Sequence, residues 1–209
     1  MDDISQEILA LAGSYSTKLE AKVAERVEEM RKDDLSHYLI YQVLGIDDAE
    51  GYLIDLYQNK GRFLYKYAGS FLEEAAFLCF KHKYAEAKKV RIPNNQGMRP
   101  KTFEIDCLID DKAHEIKWRD ATTDGDHIMK EHTRVKAIQS QGYTPIRVMF
   151  YYPNREQAIR IQKTLETLYT GVGGKYYYGE DAWDYLLQET DVDLRKILNE
   201  LISAKRKGS

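Results

Sequence analysis

Between Thr102 and Trp118 the chain alternates with a period of two, turns once, and alternates again. Phe103, Ile105, Cys107 and Ile109 interleave with Thr102, Glu104, Asp106 and Leu108. After the break, His114, Ile116 and Trp118 interleave with Ala113, Glu115 and Lys117. Alternation of this kind marks a half-buried strand, and Asp110-Asp111-Lys112 between the arms is turn chemistry. The segment therefore predicts a β-hairpin, and two registers are open. A two-residue loop at Asp110-Asp111 sets Asp106 opposite Glu115. A loop at Asp111-Lys112 sets it opposite Lys117. Either register gathers Asp106, Glu115 and Lys117 on one face, with neighbouring side chains about 5 Å apart, and leaves His114 on the other. Two carboxylates that close repel one another. A divalent cation removes the conflict, since carboxylate oxygens suit Mg²⁺ and a nearby ammonium steadies developing negative charge. The competing reading is a solvated hairpin face with cross-strand ion pairs.

The rest of the chain places this hairpin in an α/β architecture. The first ~90 of its 209 residues read as helices. Ile4, Ile8, Leu11, Tyr15, Leu19, Val23, Val27 and Met30 step by three or four along one apolar stripe. Asp33-Asp34 and Ser36 interrupt it, and Asp47 with Glu50 forms a capping box that opens another helix. That long apolar face is either core or a dimer surface. Downstream, a helix is expected from about His127 to Gln141, capped by Asp124 or Asp126 and ended by Gly142. A strand follows at Ile146 to Tyr152, then a helix from about Arg155 to Tyr169, and a last helix near Asp193 to Ala204. Strand, helix, strand, helix after a hairpin predicts a mixed sheet flanked by helices. The division expected is residues 1–68 as an N-terminal helical region and 69–209 as the catalytic core with C-terminal helices.

Composition narrows the setting. No run is long and apolar enough to span a bilayer, and Met1-Asp2-Asp3 does not begin a signal pattern. Cys79 and Cys107 sit at core-like positions without a CxxC spacing, which fits free thiols in a reducing cytoplasm. The five histidines are scattered and give no zinc spacing. Net charge is −3, yet residues 1–60 carry 13 acids against 6 basic residues, so the remaining chain is +4. Lys81, Lys83, Lys88, Lys89, Arg91, Arg99 and Lys101 stand against Glu86 alone between positions 81 and 101. A local basic patch matters more to a phosphate backbone than the total does.

Asp106 followed by Glu115-Ile116-Lys117 resembles the active-site motif of the PD-(D/E)xK nuclease superfamily, with Ile105 where the motif often has proline. The tripeptide acid-x-Lys also occurs at Glu20-Ala21-Lys22, Glu86-Ala87-Lys88 and Asp110-Asp111-Lys112, so it signifies only with the paired upstream strand. The segment EIKWRDATTDGDHIMKEHTR, residues 115–134, resembles type II restriction endonucleases, most of all the ApaLI-like family. The resemblance implies a restriction-endonuclease-like core and Mg²⁺, one or two ions per site, held by Asp106 and Glu115. It also implies a homodimer cutting double-stranded DNA at a specific, palindromic site. The setting would be bacterial or archaeal cytoplasm, with a cognate methyltransferase in the host that is not bound. It further implies a glutamate from a helix before the hairpin. Glu73 and Glu74 are the candidates on a helix expected from Ser70 to Tyr84. At about 100° per residue, Glu74 shares a face with Ser70 and Lys81, whereas Glu73 falls among Ala76, Phe77, Phe80 and Tyr84. An acid in an apolar stripe is costly unless paired or metal-bound, which selects Glu73 as the third catalytic acid and metal ligand.

DNA contacts are expected from three places. The loop after Trp118 offers Arg119, Thr122, Thr123 and His127; the following helix offers Lys130 and Arg134, one turn apart and suited to phosphates. Asn94, Asn95, Gln96, Arg99 and Lys101 lie in the Pro- and Gly-containing loop before the hairpin, whose side chains can pair with base edges. Two other functions stay open: a repair or recombination nuclease of the same superfamily, and a non-catalytic helical DNA-binding or scaffold protein.

Overall fold

A computed structural model describes residues 2–97, 99–119 and 125–207, with the side chains at 125–127, 205 and 207 outside that description. The chain forms two compact units: Leu9–Phe71, and Met1–Ile8 together with Leu72–Ser209.

The helical unit draws on α1 (Asp3–Lys32), α2 (Tyr38–Val43) and α3 (Asp48–Lys83). Asp34 takes the Ser36 amide on its carboxylate at 2.7 Å, which turns the chain between α1 and α2. Asp47 caps α3 by accepting the Glu50 amide at 2.9 Å. Nothing between Asp48 and Lys83 breaks the helix, so the stretch expected from Ser70 to Tyr84 is the end of a helix of 36 residues. Tyr41 and His37 both reach Asp55, at 2.9 and 3.1 Å, and fasten α2 to α3. Tyr15 packs edge-on against Tyr67 and Phe71 between α1 and α3.

The second unit is built on a five-stranded mixed sheet in the order β1-β2-β3-β4-β5. The strands are β1 (Lys88–Pro93), β2 (Thr102–Ile109), β3 (Lys112–Arg119), β4 (Thr144–Tyr151) and β5 (Lys175–Tyr178). β1, β2 and β3 pair antiparallel, and β3, β4 and β5 parallel. The parallel pairs are joined through α4 (Gly125–Ser140) and α5 (Glu156–Gly171), and α6 (Glu180–Thr190) and α7 (Leu194–Lys207) close the chain. α4 buries Ala137 and Ile138 in one core cluster and Val135 in another. α5 contributes Ile161, Leu165 and Tyr169 to a core with Val135 and Tyr176. Among the described residues no helix is long and apolar enough to cross a membrane.

Three elements differ from the sequence expectation. Strand β1, which the sequence did not announce, takes up Lys88, Lys89 and Arg91 of the basic run, and outward charges suit an edge strand. Strand β5, likewise unannounced, carries Tyr176, Tyr177 and Tyr178, with Tyr177 stacked on Tyr185 of α6 at 4.1 Å. The third difference concerns the strict alternation expected of β2. Val90 pairs with Ile105 and Lys88 with Leu108, so Asp106 and Cys107 together oppose the single residue Lys89. This β-bulge shifts the phase of the strand. Phe103 and Ile105 consequently join Leu108 and Ala113 in one core cluster beneath Ala137 and Ile138 of α4.

Candidate functional site

The hairpin turn sets the register of the site. Cys107 pairs with His114, Leu108 with Ala113 and Ile109 with Lys112, leaving Asp110-Asp111 as a two-residue turn. Asp110 takes φ = 50°, a left-handed conformation that Asp tolerates through local hydrogen bonding. This is the first of the two registers, and its ladder runs as far as Cys107–His114, one step before Asp106 and Glu115. His114 points the other way. It packs against Phe80 and bonds the Cys107 carbonyl at 3.0 Å and the Tyr185 hydroxyl at 2.8 Å. Burial pushes its pKa down to about 4, so it is a neutral core residue.

At the bulge, Asp106 turns inward and is 5% exposed. Its Oδ2 accepts the Ile116 amide at 2.7 Å, which fixes the carboxylate against β3. Glu115 is 2% exposed. Lys117 reaches across both acids, with Nζ 2.6 Å from Glu115 Oε1 and 3.8 Å from Asp106 Oδ2. Glu73, from the last third of α3, lies close enough to Asp106 for the two carboxyls to perturb one another. Burial and the Asp106 charge raise its pKa to about 7, against the opposing pull of Lys117 and Lys89. Glu74 instead pairs with Lys89 at 3.3 Å on a more exposed flank. Glu73, Asp106, Glu115 and Lys117 are thus brought together, and Glu74 is not.

This donor set fits an oxygen-ligated divalent cation. Glu73 is a carboxyl whose ionisation is resisted by burial and by the Asp106 charge, and positive charge relieves that resistance. Among the described residues no three His, Cys, Asp or Glu side chains already stand as a cation cage. At Glu115, Oε1 faces Lys117 and also Arg134.

Arg134 therefore occupies a different place from a solvated phosphate contact. Its side chain is 13% exposed and lies between Glu115 and Glu131, at 3.2 Å from the latter. Glu131 in turn accepts Arg147 Nη1 and the Tyr169 hydroxyl, each at 3.1 Å. Glu131, Arg147 and Tyr169 are almost wholly buried, as charges in a protein interior are when paired. The sequence expectation did not include Glu131, Arg147 or Tyr169, nor the pairing of Lys89 with Glu74. Two signals pointed to the network: Arg147 is the lone charge in an apolar strand, and Glu131 lies three residues before Arg134 on α4.

The remaining DNA-contact candidates are dispersed. Arg119 is exposed at the end of β3 with its guanidinium over Trp118, and Lys130 is exposed on α4. Arg99 and Lys101 are exposed in the loop between β1 and β2, along with Gln96 and Asn95. Asn94 is half-buried and closes that loop, donating to the Pro100 carbonyl at 2.8 Å, while Asn95 bonds Ser140 at the end of α4. Thr122 and Thr123 lie outside the described residues, as does the side chain of His127.

Comparison with known proteins yields one family. A family model described as ApaLI-like restriction endonuclease matches residues 1–203. No curated protein and no solved structure matches the chain.

Proposed function

Because the chain belongs to the ApaLI-like restriction endonuclease family, we propose that it is a type II enzyme of the PD-(D/E)xK kind. It hydrolyses phosphodiester bonds in double-stranded DNA at a specific palindromic site, with Mg²⁺ as cofactor. The observation that carries this reading is the convergence of Asp106, Glu115 and Lys117 on the β2–β3 hairpin with Glu73 from α3. Glu73, Asp106 and Glu115 are the residues that would hold the ion. When bound, Mg²⁺ supplies Lewis acidity that favours hydroxide over water and offsets charge on the phosphate. The ammonium of Lys117 orients the attacking water and steadies negative charge as it develops at phosphorus. The Ile116 amide keeps Asp106 in place throughout.

One such constellation cuts one strand. Two copies related by a two-fold axis match a palindromic duplex and cut both, which favours a homodimer as the working form. Bases are read by Arg119 and the loop beyond it, phosphates by Lys130, Arg99 and Lys101. A cognate methyltransferase would protect host DNA without binding this protein. The test is incubation with long duplex DNA plus Mg²⁺ or EDTA, resolved on a gel. Discrete bands with Mg²⁺ alone are expected. A smear or structure-selective cutting would assign the chain to repair or recombination, and no cutting would refute catalysis.

A further inference from the structure

Glu115 and Glu131 approach the same guanidinium from two elements. Glu115 comes from β3, and Glu131 lies one turn before Arg134 on α4. The two ends of this arrangement are not equivalent. Glu131 is locked from behind, because its second oxygen holds Arg147 of β4 and Tyr169 of α5. Arg134 is also flanked by the Phe103 ring, 5.5 Å from its guanidinium. Its place is therefore fixed by groups outside the acid cluster. Glu131 is already neutralised by Arg147, which is wholly buried, so balancing Glu131 does not require Arg134. At the other end, Glu115 Oε1 receives Lys117 and Arg134 together. A single carboxylate oxygen cannot keep both of these and also accept a dication without bringing like charges within a few ångströms.

We propose that Arg134 is a positioning residue that acts through Glu115 as its resident counterion, held there by Glu131, and that it must yield this carboxylate before a divalent cation can use it. This rests on the reading of Glu115 as a cation ligand. The arrangement keeps cation affinity low in the free enzyme. A DNA phosphate at the site adds negative charge that compensates the excess, so cation and DNA load together. The residue thereby guards against a permanently occupied, indiscriminate centre.

The test is Ca²⁺ binding by calorimetry without DNA, in the full-length wild type and in Arg134→Gln, Arg134→Lys and Glu115→Ala, with circular dichroism to verify folding. Arg134→Gln should bind Ca²⁺ about tenfold more tightly than wild type, since a unit positive charge beside the ion is removed, and Arg134→Lys should return to near wild-type affinity. Unchanged or weaker binding in a folded Arg134→Gln overturns the inference. Glu115→Ala separates it from the functional reading: if this variant binds Ca²⁺ as wild type does, Glu115 is no ligand and the proposed centre itself fails. A measurement on the wild-type chain stands apart from any folding defect. The Arg134 Nε–Hε NMR resonance should move as Ca²⁺ is added. A resonance that stays fixed while Ca²⁺ binds also overturns the inference.

Discussion

Replacing Glu73 by Gln should make the protein more stable and less active, in a pH-dependent way that the geometry sets. The Glu73 carboxyl is half-buried beside Asp106 and titrates at about 7 in the folded chain, against an ordinary value of 4.5. A raised carboxyl pKa means that the folded state holds its proton more tightly than the unfolded state. Stability is then lost as pH rises from about 4.5 to about 7, and the whole penalty remains above that window. At ~1.4 kcal/mol per pH unit the displacement corresponds to ~3 kcal/mol, and partial solvent access brings it to ~2 kcal/mol. Glu73→Gln cannot ionise, so its advantage over wild type should be small at pH 4.5 and should grow by ~2 kcal/mol at pH 8. Urea denaturation in EDTA at the two pH values measures this. Glu74→Gln, whose partner is Lys89 on a more exposed flank, is the control and should shift stability by under ~0.5 kcal/mol at either pH. The Glu73 variant should also lose Mg²⁺-dependent cleavage. An equal stability difference at both pH values would show that Glu73 does not share a restrained charge with Asp106.

Asp106→Ala and Glu115→Ala should each abolish cleavage with the circular dichroism spectrum intact, and Lys117→Ala should abolish it while retaining Ca²⁺ binding; near-wild-type cutting by any of the three would displace the site. Affinity for duplex DNA, measured in Ca²⁺, should fall steeply with salt despite the net charge of −3, because Arg91, Arg99, Lys101 and Lys130 are exposed. If three or four of these meet phosphates, the log–log slope is roughly −3, and a flat response would remove them from the DNA surface. Arg119→Ala should cost about 1–3 kcal/mol of discrimination against a wrong base pair, whereas Lys130→Ala should weaken binding to all duplexes equally. Competition binding with cognate and single-substitution duplexes distinguishes them, and uniform loss for Arg119→Ala would move base reading to the loop between β1 and β2.

What the amino-acid sequence made legible was local and periodic. A tight turn follows from Asp110-Asp111-Lys112 (though not which of its two registers), the start of α3 from Asp47, and the spans of α4, β4 and α5 from their apolar spacing. The helical wheel of α3 separates Glu73 from Glu74, and in the fold Glu73 lies on Asp106 whereas Glu74 turns to Lys89. Features set by partners distant in sequence were harder to read. β1 has too few apolar residues to look like a strand, and it exists because β2 supplies its hydrogen bonds. β5 is four residues long and consists mostly of tyrosines that pack onto α5 and α6. Arg134 looked like a surface cation because its spacing from Lys130 suggested a basic face. Only Glu115 arriving from β3 and Glu131 braced by β4 and α5 turn it inward.

The bulge at Asp106-Cys107 has a consequence for how this strand tolerates changes in length. Upstream of it, odd-numbered residues face α4; downstream, even-numbered ones do. One strand can thus bury Phe103 and Ile105 in the same layer as Leu108 and still aim a carboxylate into the sheet at the point where the phase changes. Deleting a single residue at the bulge would restore a regular pleat. It would turn Phe103 and Ile105 to the opposite face and drive Glu104 into the apolar layer under α4, a slip of one that inverts every side chain in its path. Asp106 therefore stands where insertions and deletions are least tolerated. A nuclease built on the same sheet without this defect would need its first acid at a different distance from its apolar residues, so a motif sought at fixed hydrophobic spacing would pass over one of the two.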